Sequence, residues 1–114
     1  METDALQTCI ETCLRCAGEC EANSRTCSEL AGSDELAHCA ALARDCAEFC
    51  RMAATFMQRG SHYSAEICRV CAELCDVCSS ACREQDHAAC QACAEVCHAC
   101  ASECRHLTTA MICI

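Results

Sequence analysis

Cysteine recurs along this chain at alternating steps of three and four residues, and no other feature restricts the fold as tightly. Cys9, Cys13, Cys16, Cys20 and Cys27 follow one another at intervals of 4, 3, 4 and 7. Cys68, Cys71, Cys75, Cys78 and Cys82 alternate 3 and 4, and so do Cys90, Cys93, Cys97, Cys100 and Cys104. Cys39, Cys46 and Cys50 form a sparser set between them. Side chains three or four residues apart share one face of an α-helix, so each run marks a helix whose seam faces a common core. Cysteine stands where a bundle normally places Leu or Ile.

Punctuation between the runs is sparse. The 114 residues include no Pro and only three Gly. Ala31-Gly32-Ser33-Asp34 carries a Gly and a helix cap. Gly60-Ser61-His62 offers Gly60 as a helix stop and Ser61 as the next cap. Arg83-Glu84-Gln85-Asp86-His87 is a polar run with Asp86 as the expected cap. The spacing predicts helices over 4–30, 34–59, 62–83 and 87–111. Short links between four such helices give an all-α fold: one domain over 1–114, an antiparallel up-down-up-down four-helix bundle with a Cys-lined core. Leu6, Leu30, Leu36, Met57, Leu107 and Met111 extend the seam, and Met52, with Met57 and Met111, reads as core filling. Leu42, Phe49, Phe56, Ile67, Leu74, Ala89 and Val96 form a second apolar row beside it. Glu11, Arg15, Asp45, Arg69, Glu73, Glu95 and Arg105 fall outside both rows and are expected to face water.

Three chemistries compete for such a seam. As plain core filler, a file of small thiols packs weakly for its length. Disulfides suit it poorly, because helix geometry holds neighbours on one face in positions ill matched to a Cβ–Cβ separation of about 3.8 Å. Nineteen Cys also cannot all pair within one chain. Metal binding fits best, since thiolate is a soft ligand and each helical step places two sulfurs one turn apart. Zn(II) needs four ligands at a time along the bore. Iron–sulfur clusters favour Cys on tight loops, which this sequence lacks. Cu(I) is soft and accepts two or three thiolates, and a sulfur can bridge neighbouring ions. Buried thiolates require compensating cations. Eighteen Cys lie on the seam, with Cys113 left in the C-terminal tail, so a neutral core filled by a monovalent ion takes about eighteen Cu(I) per chain.

The runs CIETCLRCAGEC, CAELCDVCSSAC and DHAACQACAEVCHACASEC resemble those of the bacterial copper storage proteins, four-helix bundles with Cys-lined bores. The resemblance spans the whole chain. It implies Cu(I) storage, with many ions inside one bundle, and a homotetrameric assembly. The sequence begins without a basic or apolar leader, which makes it similar to the cytosolic branch and gives a cytoplasmic location as the expectation. It departs from a fully Cys-lined bore at Asn23, Ala43 and Ala53, where gaps in the coordination are expected. His87 stands one turn before Cys90, on the family's motif, and is expected to ligate Cu(I) at a mouth of the bore. His38 falls at the same end, while His62, His98 and His106 read as surface residues. The opposite end carries Leu6, Phe56, Met57, Leu107 and Met111 as an apolar plug, so ions are expected to pass by His87.

Other functions fit less well. A net charge of −9, with Arg as the only strong base, argues against a nucleic-acid partner. No apolar stretch is long enough to cross a membrane. No phosphate loop, nucleophile triad or carboxylate pair marks an enzyme. Two alternatives to copper storage remain open at this point: buffering or detoxification of Zn(II), Cd(II) or mixed soft metals, and a thiol redox switch.

Overall fold

The structure, a computed structural model, describes residues 2–30 and 32–112, and the side chains of 5–30 and 32–110. Cys113 and the side chain of Met111 lie outside the described residues. Four helices follow in order: α1 Glu2–Glu29, α2 Asp34–Gln58, α3 Ser64–Arg83 and α4 Ala88–Ile112. Each packs on two neighbours, α1 on α2 and α4, and α3 on the same two. The bundle measures 48 × 20 × 19 Å, so the bore runs nearly its whole length.

The links explain where the helices stop. Gly60 adopts φ +65°, a conformation that costs residues with a Cβ but not glycine. Its N–H donates to Met57 O at 3.2 Å, and Ser61 N–H donates to Phe56 O at 3.0 Å. These two bonds satisfy the last carbonyls of α2 in a Schellman turn. Ser33 caps α2 through Oγ, which accepts from Leu36 N–H at 3.1 Å. Two expected caps differ. Ser61 Oγ accepts from Tyr63 N–H at 3.1 Å and shapes the turn, and α3 begins after Tyr63 with no side-chain cap. At α4 the cap is His87 and not Asp86: His87 Nδ1 accepts from Ala89 N–H at 3.2 Å, and His87 O accepts from Gln91 N–H at 3.0 Å. Gln91 in turn donates through Nε2 to Arg83 O and Gln85 O, tying the start of α4 to the end of α3.

Small residues set the spacing between helices. Ala40, Ala47 and Ala54 are buried at seven-residue intervals on α2, Ala17 is buried on α1, and Ala94 and Ala101 repeat the pattern on α4. Backbones approach closely there. Ser24 Oγ on α1 donates to Ala40 O at 2.9 Å, and Ser79 Oγ on α3 donates to Ala94 O at 2.8 Å. The second apolar row is half-buried as expected, and the charged positions named above are exposed. Ile10, 4% exposed, is an apolar anchor the spacing argument did not single out. Met52 corrects the reading of it as core: it is 39% exposed, because it follows Cys50 by two residues and so faces outward.

None of these packing devices contains a metal. The apo-protein is therefore expected to give a strongly helical circular dichroism spectrum; a coil spectrum that becomes helical only on metal addition would overturn this. Ser33→Ala is expected to lower unfolding free energy by about 1 kcal/mol in urea titrations of the apo-protein.

Candidate metal centre

The helical seams turn their thiols inward, and all eighteen expected Cys are buried. All but Cys27, at 2%, are wholly inaccessible to solvent. Successive turns of one helix bring Cys16 and Cys20 to 3.8 Å, Cys71 and Cys75 to 4.0 Å, Cys78 and Cys82 to 3.9 Å, and Cys93 and Cys97 to 4.0 Å. Contacts across the bore are as close: Cys20–Cys97 3.4 Å, Cys46–Cys75 3.5 Å, Cys50–Cys71 3.6 Å and Cys13–Cys104 3.7 Å. Cys9 joins the file through Cys104 at 3.9 Å. Cys68 lies beside Cys104 and Cys9. Near the links, Cys27 meets Cys90 at 3.5 Å and Cys39 meets Cys82 at 2.7 Å.

Apart from Cys39–Cys82, which is shorter, these distances suit shared metal ions. With metal–sulfur bonds of about 2.3 Å, two sulfurs on one ion stand about 3.8 Å apart at a tetrahedral angle and about 4.0 Å apart in a trigonal site. They exceed the S–S bond length of about 2.05 Å. Several sets of four sulfurs lie mutually within 4.8 Å, among them Cys13, Cys71, Cys100 and Cys104, and Cys16, Cys46, Cys50 and Cys75. Cys50 also belongs with Cys71, Cys75 and Cys100, and Cys16 with Cys20, Cys46 and Cys97. Because one thiol belongs to two sets, the bore is a continuous lattice of ligands and not a row of separate sites.

Burial governs the thiols' acidity near the links. Desolvation, then Cys90 close by, pushes Cys27 up to about 12. Desolvation raises Cys39 as well. Deeper in the bore, Cys46 receives hydrogen bonds from Cys16, Cys20, Cys50 and Cys75, which hold it well below the ordinary thiol range. Cys20 is raised in turn, first by Cys16 and then by Cys46. One thiolate among several S–H donors is favoured, and of the four around Cys46 the thiols of Cys20, Cys50 and Cys75 are raised.

The structure brings the expected non-thiol residues to mixed fates. His87 is half-buried at the α4 start, on the same end as Cys27, Cys39, Cys82 and Cys90. His38, His62, His98 and His106 are exposed. At the other end Met57 and Leu107 are buried, Leu6 is half-buried, and Phe56 is half-buried beneath the Arg59 guanidinium, 4.5 Å from its ring centre. Ala43 and Ala53 are fully buried on the bore. Asn23 does more than leave a gap: its Nδ2 donates to Cys82 Sγ and its Oδ1 accepts from Cys27 S–H, both at 3.5 Å. The seam spacing marked position 23 as inward-facing, and a buried amide among thiols has only sulfur to bond.

A helical bundle enclosing a continuous thiol lattice defines a metal-storing class of protein. Residues 2–109 match the family described as copper storage protein, and the chain belongs to that family. It is similar to a Cu(I)-bound copper storage protein at 38% identity and TM-score 0.87, covering 91% of this chain and 98% of the other. The apo form of copper storage protein 3 from Bacillus subtilis matches at 38% identity and TM-score 0.84, covering 90% and 97%. A cytosolic copper storage protein from Streptomyces lividans, solved with five coppers, matches at 31% identity and TM-score 0.88, covering 95% of each chain. No curated protein matches the sequence.

A raised thiol has a defined pH signature. Cys27, held near 12 in the fold against 9.0 when unfolded, contributes stability that is complete below pH 9 and is lost as pH rises toward 12. The urea midpoint of the apo-protein is accordingly expected to fall across that window. A midpoint that rises between pH 9 and 11 would show the thiol bore to be more acidic folded than unfolded.

Proposed function

We propose that this chain stores many Cu(I) ions on the thiolates of Cys9, Cys13, Cys16, Cys20, Cys27, Cys39, Cys46, Cys50, Cys68, Cys71, Cys75, Cys78, Cys82, Cys90, Cys93, Cys97, Cys100 and Cys104, with His87 as a ligand at the mouth. The single observation that carries this reading is the continuity of the thiol lattice. A set of closed tetrathiolate Zn(II) sites requires four sulfurs per ion and none shared, whereas here neighbouring sets overlap. A monovalent soft ion that accepts two or three bridging thiolates uses every sulfur and leaves the bore neutral. The protein acts in the cytoplasm as a store and not as an enzyme; copper ions are its cargo, and neither nucleic acid nor a membrane is a partner. Among the described residues no helix is long and apolar enough to cross a membrane. A homotetramer is the assembly proposed, on resemblance to the family.

Ions pass the end that carries His87. A neutral imidazole capping α4 through Nδ1 holds its proton on Nε2, so copper binding at either nitrogen exchanges the cap for the metal or moves the proton. Such a ligand is released readily. At the far end, beyond Cys9, Cys68 and Cys104, Met57 and Leu107 are buried and close the bore.

Two measurements test this reading. Anaerobic titration of reduced apo-protein against a chromophoric Cu(I) chelator is expected to show uptake beyond roughly ten ions per chain, approaching about eighteen. Saturation at about four or five ions would favour tetrathiolate Zn(II)-type sites instead. His87→Ala is expected to slow chelator exchange several-fold while leaving capacity within an ion or two of wild type, and Met57→Ala to change exchange little. His87→Ser separates the two roles of the residue, since it restores a cap without a copper ligand: it is expected to exchange as slowly as His87→Ala. Wild-type rates in His87→Ser would assign the effect to capping, and faster exchange in Met57→Ala alone would place the mouth at the other end.

A further inference from the structure

Three thiol pairs join α2 to α3 in one antiparallel register. Cys50 meets Cys71 at 3.6 Å, and Cys46 meets Cys75 at 3.5 Å. Seven residues further toward the links on each helix, Cys39 meets Cys82 at 2.7 Å. The hairpin repeats one contact along its length, and the last is much the shortest. The first two pairs need open only slightly to share an ion, whose sulfurs stand about 3.8 to 4.0 Å apart. The third is nearer to the S–S bond length of about 2.05 Å than to that separation. Elsewhere among the described residues, the next closest hydrogen-bonded thiols are Cys20 and Cys97 at 3.4 Å.

The place of the pair in the fold favours cross-linking. Thiols stacked along one helix point the same way and make poor disulfide partners. Cys39 and Cys82 instead approach each other from neighbouring helices. Cys39 lies in the second turn of α2, and Cys82 one residue before the end of α3. Helix ends open locally more readily than helix middles. A surface cavity of about 490 Å³ between the end of α1 and the start of α2 has Cys27 in its wall. Cys27 lies beside Cys39, so a small oxidant in that cavity is one thiol away from the pair.

We propose that Cys39 and Cys82 are the oxidisable pair of the empty bore, closing to a disulfide between α2 and α3 when hydrogen peroxide reaches them. One thiol, as its thiolate, attacks the O–O bond and becomes a sulfenic acid, and the first oxygen leaves as water. The other sulfur attacks the sulfenic sulfur, forming the S–S bond and releasing the second oxygen as water. Two electrons pass from the sulfurs to the peroxide, and both thiol protons end in water. The closed bond takes two thiolates out of the copper set. That consequence rests on the copper-storage reading above; the cross-link does not.

The test treats reduced, metal-free protein with about one equivalent of hydrogen peroxide per chain. Remaining thiols are alkylated in denaturant, and disulfides are mapped by tandem mass spectrometry of unreduced peptides. The first cross-link is expected at Cys39–Cys82, reversed by dithiothreitol. A first cross-link elsewhere, such as Cys20–Cys97, or sulfinic acids in place of a disulfide, overturns the proposal. Cys39→Ser and Cys82→Ser are each expected to lose thiols to peroxide several-fold more slowly than wild type. Rates equal to wild type in whichever variant folds overturn it as well. Anaerobic Cu(I) titration of the oxidised protein is expected to show about two ions fewer than the reduced protein takes. An unchanged capacity with the cross-link in place overturns the effect on storage. A capacity of about four or five in the reduced protein overturns the copper-storage reading and leaves the cross-link standing.

Discussion

Electroneutrality in a dry bore is the constraint on which the molecule depends. Eighteen buried thiols are tolerable as neutral groups, and the same eighteen as thiolates are tolerable only with cations among them. The protein supplies no cations of its own there: the Arg side chains lie on the outside, in ion pairs such as Arg25–Glu21 at 3.6 Å, or exposed. Every positive charge that enters the core must come as metal, and each must displace a proton. A bore with one monovalent ion per thiolate carries no more charge than one with a proton on every thiol, and passage between those states exchanges protons for ions along the same ligands. Sharing of sulfurs between sets keeps that exchange local, since an ion moving one turn gives up part of its shell and keeps the rest.

Stability has to come from elsewhere, and it does. Thiols are small, and a seam of them leaves the helices under-packed unless the backbones approach. The Ala rows of α2 and α4 permit that approach, and Ser24 and Ser79 take advantage of it with hydroxyl bonds to the carbonyls of a neighbouring helix. The half-buried Leu42, Ile67, Leu74 and Val96 shield the outside of the thiol file. These contacts are made by residues outside the thiol set, so they persist whether the thiols carry protons or ions.

The seam was legible in the sequence because three-and-four spacing has only one structural meaning over runs of this length. Helix bounds followed to within about two residues. Gly60 announced its turn, since only a left-handed residue closes the Schellman bonds found there. What escaped was local competition. Asp86 and His87 are both polar residues next to the α4 start, and which one caps depends on a single rotation of the chain that spacing does not encode. Met52 looked apolar and therefore internal, but its register places it two residues past Cys50. The dual contacts of Asn23 required knowing that Cys27 and Cys82 converge from helices far apart in sequence. The Ala rows were visible as letters, but their role appears only when two helices are set side by side.

Those Ala rows have a mechanical consequence. They let α1 close on α2 and α3 on α4 as two plates, each joined by a serine hydroxyl that donates to a carbonyl of the neighbouring helix. Between the plates, along α1·α4 and α2·α3, the facing surfaces are mostly sulfur. A pair of plates separated by compliant, polarizable atoms has one soft coordinate, the gap between them. The turn at Gly60, between α2 and α3, is the link that joins one pair to the other, while the cap at His87 lies in the link within the second pair. The bundle is thus two close-packed helix pairs whose separation is set by sulfur, and the spacing of those pairs is the dimension that the size of the thiol side chains controls.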